Sequence, residues 1–315
     1  MDKHTLQALS AAATQWQAPE VPKDIPHGDM PGDKVNISED HIRRCGILFP
    51  VLLGKLNDLF SVGQRRAVVS VYGGSGVGKS ETASLISFYL SQLGIGSYTL
   101  SGDNYPRRIP MYNDAERLSI FRHGGILGLI GRGVLTRDVL PALHEMQVRE
   151  LDSDPAKTAD FPWLTIYQAE GRKSLSQYLG TEKEQDFAAV NEILRAFKNG
   201  VNTLYLKRMG RTDTELWYDA VDFSHTDVLV LEWTHGNNAC LTGIDLPLFL
   251  SSTPEETRAH RRSRNRDGKT DSPFTTMVLE IEQKLLDSQA DRAALILSKQ
   301  GELLTAIDYQ RRLCA

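Results

Sequence analysis

The chain has 315 residues, 41% hydrophobic and 24% charged, with a formal net charge of −4 at pH 7. This is an ordinary globular composition with material for a large core. It gives no case for nonspecific nucleic-acid binding, and no apolar run approaches the length of a membrane span. Cys45, Cys240 and Cys314 lie far apart and form no C-x-x-C, which suits a reducing cytoplasm better than a disulfide framework. The N-terminus, with Asp2, Lys3 and His4, shows no secretory signal.

Residues 1–17 read as a short helix, and the Pro-, Gly- and Asp-rich stretch 18–34 as an extended linker. A helix should start near Ser38, which can cap it, with Glu39 and Asp40 in the first turn. Ile42, Cys45, Leu48, Leu52, Leu56 and Phe60 recur at mostly helical spacing, and Pro50 should kink or divide the helix. Residues 1–64 thus form a helical extension. Its apolar face either packs on the core or makes a homo-oligomer contact.

Residues 68–83, VVSVYGGSGVGKSETA, run from strand formers through a glycine-rich turn into helix formers. Gly73, Gly78, Lys79 and Ser80 fit G-x-x-x-x-G-K-[ST]. The glycines let backbone N–H groups converge on one point, and the following helix adds the positive end of its dipole. Gly73, Gly74, Ser75, Gly76, Val77, Gly78, Lys79, Ser80 and Glu81 are therefore the expected nucleotide-binding residues, with Ser80 offering a hydroxyl to Mg²⁺. Strand Ala67–Tyr72, helix Lys79–Leu93 and strand Ser97–Ser101 make a βαβ unit, so the sheet should be mainly parallel.

The second strand ends in SGDNYPRRIP. Groups at the carboxyl ends of parallel strands sit over the site, so Asp103 should lie beside the phosphate loop as a base or metal ligand. Arg107 and Arg108, then Arg117 and Arg122, suit an anionic substrate group. Residues 113–150 read as helical, interrupted by Gly124, Gly125, Gly128, Gly131 and Gly133. Residues 151–186 read as irregular, with an aromatic patch at Phe161, Trp163 and Tyr167. A helix over 186–198 and a strand over 201–206 follow, then Arg208, Trp217 and Tyr218. The apolar strand Asp227–Glu232 ends in an acid able to complete a Mg²⁺ site, and His235 lies just beyond. After strand Ile244–Leu250, a helix capped near Thr253 carries Arg258, Arg261, Arg262, Arg264 and Arg266. These arginines read as a lid over phosphates; the lack of interleaved aromatics counts against a nucleic-acid patch. A helix spans 278–286, and ALILSKQGELLTAI reads as two short strands around Gln300-Gly301.

Taken together, GGSGVGKSETA (73–83), SGDNYPRR (101–108), DFAAVNEILRAFKNG (186–200), DVLVLEWTHG (227–236) and IDLPLFLSSTPEETRAHRRSRNRD (244–267) resemble the uridine kinase, phosphoribulokinase and pantothenate kinase group of P-loop kinases. The resemblance implies a three-layer α/β/α fold over 65–315, with a substrate-side insert at about 105–218. It implies ATP and Mg²⁺, catalytic roles for Asp103, Lys79, Arg262 and Arg266, a nucleotide contact from Arg261, and metal contacts from Ser80, Glu232 and Asp103. The substrate residues it suggests, with the basic residues nearby, are Arg107, Arg108, Tyr105, Tyr205, Arg208 and His235. The chain departs from uridine kinases in having D-N-Y-P-R-R rather than D-S-F-Y-R, and Trp233 where they carry glycine after the acid. The expected activity is transfer of the ATP γ-phosphoryl to a small acceptor: a nucleoside, a sugar phosphate or another small anion. The alternative is a regulatory P-loop NTPase that binds a protein partner through residues 105–185.

Overall fold

The computed structural model describes residues 9–12, 15–32, 34–210, 212, 214–264 and 272–314. Residues 9–12 and 15 are helical, and residues 16–32 and 34–38 form neither helix nor strand. Helix α1 spans Glu39–Ser61. Ser38 caps it: its Oγ accepts the backbone N–H of His41, while the His41 ring accepts the Ser38 N–H. Pro50 lies inside α1, which continues through it as one helix.

Strand β1 (Ala67–Gly73) leads through the glycine-rich loop to α2 (Lys79–Gln92) and β2 (Ser97–Ser101). A substrate-side block follows: α3 (Pro110–Gly131), α4 (Val139–Val148) and α5 (Leu164–Ser176). Helix α6 (Phe187–Lys198) leads to β3 (Thr203–Met209), which pairs with the antiparallel β4 (Leu216–Asp222) in a separate two-stranded sheet. Then come β5 (Val228–Glu232), β6 (Leu246–Leu250), α7 (Pro254–Arg264), α8 (Pro273–Asp287), β7 (Leu295–Leu297), β8 (Leu303–Leu304) and α9 (Ala306–Leu313).

The main sheet has the order β2-β5-β1-β6-β7-β8, all parallel except β8. β1 and β5 are wholly buried, as central strands covered on both faces must be. From β1 the chain crosses to β2 on one side, and from β5 it crosses to β6 on the other. The carboxyl ends of β1 and β5 therefore flank the crevice where an open α/β sheet binds ligand.

Helices α1 and α2 cover one face. Leu48, Phe49, Leu52, Leu53 and Leu56 share a core with Val69, Val71, Leu85 and Ile86, so the extension packs into the sheet's own core. On the other face, Phe187, Val190 and Leu194 of α6 meet Leu229, Leu231 and Trp233. The substrate-side block has a separate core that brings Phe121, Leu129, Leu164 and Tyr167 against Met277, Val278 and Ile281 of α8.

Three features differ from the sequence expectations, each for a local reason. The glycines at 124, 125 and 128 do not interrupt α3; they make a flat face onto which α5 presses. A Cβ at Gly125 would stand 2.5 Å from the Tyr167 ring, and at Gly128 2.5 Å from Glu170. Residues 164–176 are a helix whose polar face hid its periodicity. The exposed β4, with mixed polar and aromatic residues, showed no alternation to read.

Candidate active site

The loop after β1 wraps closely around a point at the head of α2. Gly76 and Gly78 have φ of +77° and +98°, a region L-residues seldom adopt. A Cβ at Gly73 would stand 2.5 Å from the Leu250 carbonyl oxygen, so β6 and the loop meet too closely for any side chain there. Lys79 Nζ lies 3.3 Å from the Gly74 carbonyl, folded back across the loop. Arg44 of α1 supports the loop from behind, donating from Nη1 to the Val77 carbonyl at 3.2 Å while itself only 2% exposed. Burial and its basic neighbour Arg43 weaken its hold on the proton, and Asp40 offsets part of that.

Asp103 stands on a short turn after β2, Gly102–Asn104. That turn is held from three sides. Asp29, in the segment before α1, accepts from the Ser101 N–H (2.7 Å) and from Asn104 Nδ2 (3.1 Å). Asn104 Oδ1 accepts the Met209 N–H from β3 at 3.0 Å. The Trp233 indole fills the space that a Gly102 side chain would need. Trp233 therefore takes a packing position beneath the turn.

Glu232 ends β5 in register with Val71 of β1 and Ser101 of β2. Three adjacent strand ends thus deliver the loop, Glu232 and Asp103 to one place. Ser75, Gly76, Lys79, Ser80, Asp103, Glu232 and Arg261 all line one cavity of about 580 Å³, within the range of small-molecule sites. Arg261 reaches it from α7, anchored by the Pro254 carbonyl (2.8 Å), and its Cγ would stand 3.0 Å from a Cβ at Gly76. Gly73, Gly74 and Gly78 belong to the loop but do not line this cavity, and neither do the buried Val77 and Glu81. The Arg262 side chain and the whole of Arg266 lie outside the described residues.

None of the six residues read as substrate-contacting lines the cavity. Arg107 donates to the Glu182 carbonyl and faces Asp186. Arg108 pairs with Glu116 at 3.3 Å and reaches Tyr178 Oη. Tyr105 is buried against the α6 core, and Tyr205 stands exposed on the β3–β4 hairpin. Arg208 is buried against Asp29 (2.9 Å) and Asp219 (3.1 Å). His235 is packed edge-on to Trp233 and Phe187, and burial lowers its pKa to about 4, so it is neutral at pH 7.

The cavity's far wall holds Arg117 and Arg122, two of the four arginines expected near the substrate, together with residues the sequence did not single out as a site. Asp114, Arg117 and Arg122 of α3, the acidic run Glu150–Ser153, and Phe274 and Glu282 of α8 complete it. Glu150 has φ of 55°, the only positive value at a non-glycine position among the described residues. Asp152 is held by Arg122 through Nε (3.0 Å) and Nη2 (3.1 Å), and by Tyr167 Oη (2.9 Å). Arg117 meets Glu184 at 2.6 Å and Glu282 and Asp114 at 3.6 Å. Burial opposes ionisation of Glu184, but Arg117 and the Gly180 N–H hold its pKa below the ordinary carboxylate value. Burial pushes the Glu282 carboxyl up, against the pull of Arg117. One signal for this wall was legible: the sequence Glu150-Leu-Asp-Ser-Asp154 places three acids in five residues of a long connection.

The glycine-rich loop heads α2 in a mainly parallel sheet, with one acid at the end of β5 and another just after β2, the arrangement of a P-loop phosphate site. No family model matches the chain. It is similar to the bifunctional alpha-galactosidase/sucrose kinase AgaSK of Mediterraneibacter gnavus, with 39% identity over 240 residues. That match covers 76% of this chain and 21% of the relative, so the chain spans about a fifth of the relative's length. Among solved structures it is similar to a protein assigned as a fructose transport system kinase from Silicibacter sp. TM1040 (TM-score 0.45, 13% identity, 76% of this chain and 93% of the other). Another is a protein assigned as a uridine kinase from Bacillus stearothermophilus (TM-score 0.34, 13% identity, 78% and 98%). The YGR205w protein gives a TM-score of 0.46 at 11% identity, with coverage of 83% and 96%.

Proposed function

We propose that the chain is an ATP-dependent kinase that phosphorylates a hydroxyl of a small molecule. The observation that carries this reading is that Lys79, Ser80, Asp103 and Glu232, from three adjacent strand ends, line one cavity. The loop amides and Lys79 bind the nucleotide phosphates, and Arg261 approaches them from α7. Asp103 accepts the proton of the acceptor hydroxyl. The acceptor oxygen then bonds to the γ-phosphorus as the bond to the β–γ bridging oxygen breaks, and ADP leaves. Ser80, Glu232 and Asp103 form an all-oxygen donor set that fits Mg²⁺, a hard cation often held by one or two carboxylates with substrate phosphates. Magnesium bound there would neutralise phosphate charge.

The relative's name pairs two activities. A P-loop serves phosphoryl transfer and not glycoside hydrolysis, so the sucrose kinase half is the one relevant here, and sucrose is the first acceptor to test. Residues of α3 and α8 line the same cavity as the phosphate loop, which favours a pocket over a partner-binding surface. The test is ADP release from ATP·Mg²⁺ with sucrose, monosaccharides and nucleosides. Acceptor-dependent release that is lost in Lys79→Ala and Asp103→Asn is the expected result. Release that no acceptor stimulates would overturn the kinase reading.

A further inference from the structure

Helix α1 meets the phosphate loop at one peptide group. Arg44 Nη1 donates to the Val77 carbonyl at 3.2 Å. A trans peptide points its C=O and N–H in opposite directions, so the Gly78 N–H of the same group points away from α1. Gly76, Lys79 and Ser80, beside it in the loop, line the cavity, and Arg44 does not. The Gly78 N–H donates to no backbone carbonyl among the described residues. It is one of the donors that a phosphate at the head of α2 would meet, and Arg44 fixes its direction from behind. Gly78 has φ of +98°, and a Cβ there would stand 3.0 Å from His41 Nε2 and 3.9 Å from Arg44 Nη1. Two residues one turn apart on α1 thus close the back of the loop.

The guanidinium is costly where it stands. Arg44 is 2% exposed, and its Nε and Nη2 have no hydrogen-bond partner among the described residues. The carboxylates that act on it, Asp40 and Glu256, lie beyond ion-pair distance, and Asp40 is joined to Arg43 at 2.6 Å. A neutral amide would hold the Val77 carbonyl without burying a charge. The charge adds what a neutral donor lacks, a positive potential directly behind the loop. Its surroundings are too apolar to screen it, since Cys45, Leu48 and Phe49 of the same helix are wholly buried. Such a potential favours the negative charge of bound phosphates.

We propose that Arg44 is a positioning residue of the nucleotide site: it holds the Val77–Gly78 peptide with its N–H toward the phosphates and adds positive charge behind them. The segment before β1 is then part of the phosphate-binding machinery and not only a cover for the sheet. The proposal rests on the phosphate-binding half of the reading above and is independent of the acceptor.

The experiment measures binding of ADP·Mg²⁺ and of pyrophosphate by calorimetry in the full chain, in Arg44→Met and in Arg44→Lys, with the melting temperature of each protein without ligand. Arg44→Met should bind both ligands at least tenfold more weakly. Arg44→Lys keeps a charge and a donor, and should stay within threefold of the wild type. In turnover the loss should appear in KM for ATP, with KM for the acceptor within twofold. Should Arg44→Met not fold, Arg44→Gln carries the test: it keeps a donor without the charge, and should bind both ligands at least threefold more weakly. A purely structural arginine would lower the melting temperature and leave both affinities of the folded protein unchanged, which would overturn the proposal. A loss for ADP that spares pyrophosphate would put the effect at the nucleoside and would overturn it as well. A wild type that binds neither ligand would overturn the phosphate loop itself, and this role with it.

Discussion

The two ends of the cavity are built by different means. The phosphate end is a single continuous stretch, Gly73–Ser80, with the ends of β5 and, beyond it, β2 on one side. Its chemistry lies in backbone amides and a short spacing. The far end is assembled from α3, the turn at 150–153 and α8, residues up to about 170 positions apart in sequence, held by buried ion pairs on a separate core. A phosphate looks the same in every nucleotide, so its binding loop is local and generic. An acceptor must be told apart from its competitors, and that requires side chains converging from several elements.

The comparison is broken most severely at the phosphate end. Lys79→Ala and Asp103→Asn should each lower acceptor-dependent ADP release by about 10³-fold, the scale of losing a charge on the phosphoryl group or a general base. Coupled-enzyme kinetics checks this, with nucleotide-analogue fluorescence separating binding from turnover. An Asp103→Asn enzyme that kept its rate would remove the base.

A second effect joins the two ends. Asp29 links the Asp103 turn to Arg208 through a pair that is 8% and 7% exposed. Asp29→Ala leaves that guanidinium with less compensation and should cost about 3 kcal/mol of stability, measured by urea unfolding. Asp219 still touches Arg208 but is half exposed, so it should not restore the loss.

Acid should test the buried histidine outside the cavity. The folded protein holds His235 near pKa 4, while an unfolded histidine titrates near about 6.5. Between those values the unfolded chain binds the extra proton, so stability falls as pH drops from about 6.5 to about 4 and is unaffected above that window. The expected loss is about 3 kcal/mol across the window, read as Tm against pH, and His235→Gln should flatten it. Glu184, held below the ordinary carboxylate range, stays ionised through most of the window.

The smallest effect sharpens the contrast. Arg107→Ala and Arg108→Ala should change kcat/KM for any sugar by less than about twofold, since both make partly exposed pairs of little energy outside the cavity. A larger loss would return these arginines to the site.

This contrast also explains what the sequence made legible. The loop, the apolar strand ending in Glu232 and the strand before Asp103 carry their information in neighbours two to eight residues apart, so the sheet and the phosphate end could be read directly. Ser38 announced its helix in the same way. The far wall was legible only in its arginines, Arg117 and Arg122; their partners were not, because nothing local joins Arg122 to Asp152 or Arg117 to Glu184 and Glu282. The arginines at 107 and 108 attracted attention by adjacency, but the loop that carries them turns away to Glu182 and Glu116. The linker misled in the other direction: a Pro- and Gly-rich stretch holds Asp29, one of the best-connected carboxylates in the molecule.

The most direct test of the account is phosphoryl transfer from ATP to sucrose or another small acceptor, with the product identified by mass spectrometry in the wild type and in Asp103→Asn. The account predicts a phosphorylated acceptor from the wild type and its loss, with nucleotide binding retained, in the variant. ATP turnover that proceeds equally with and without every acceptor, or an Asp103→Asn enzyme with undiminished product, would contradict it.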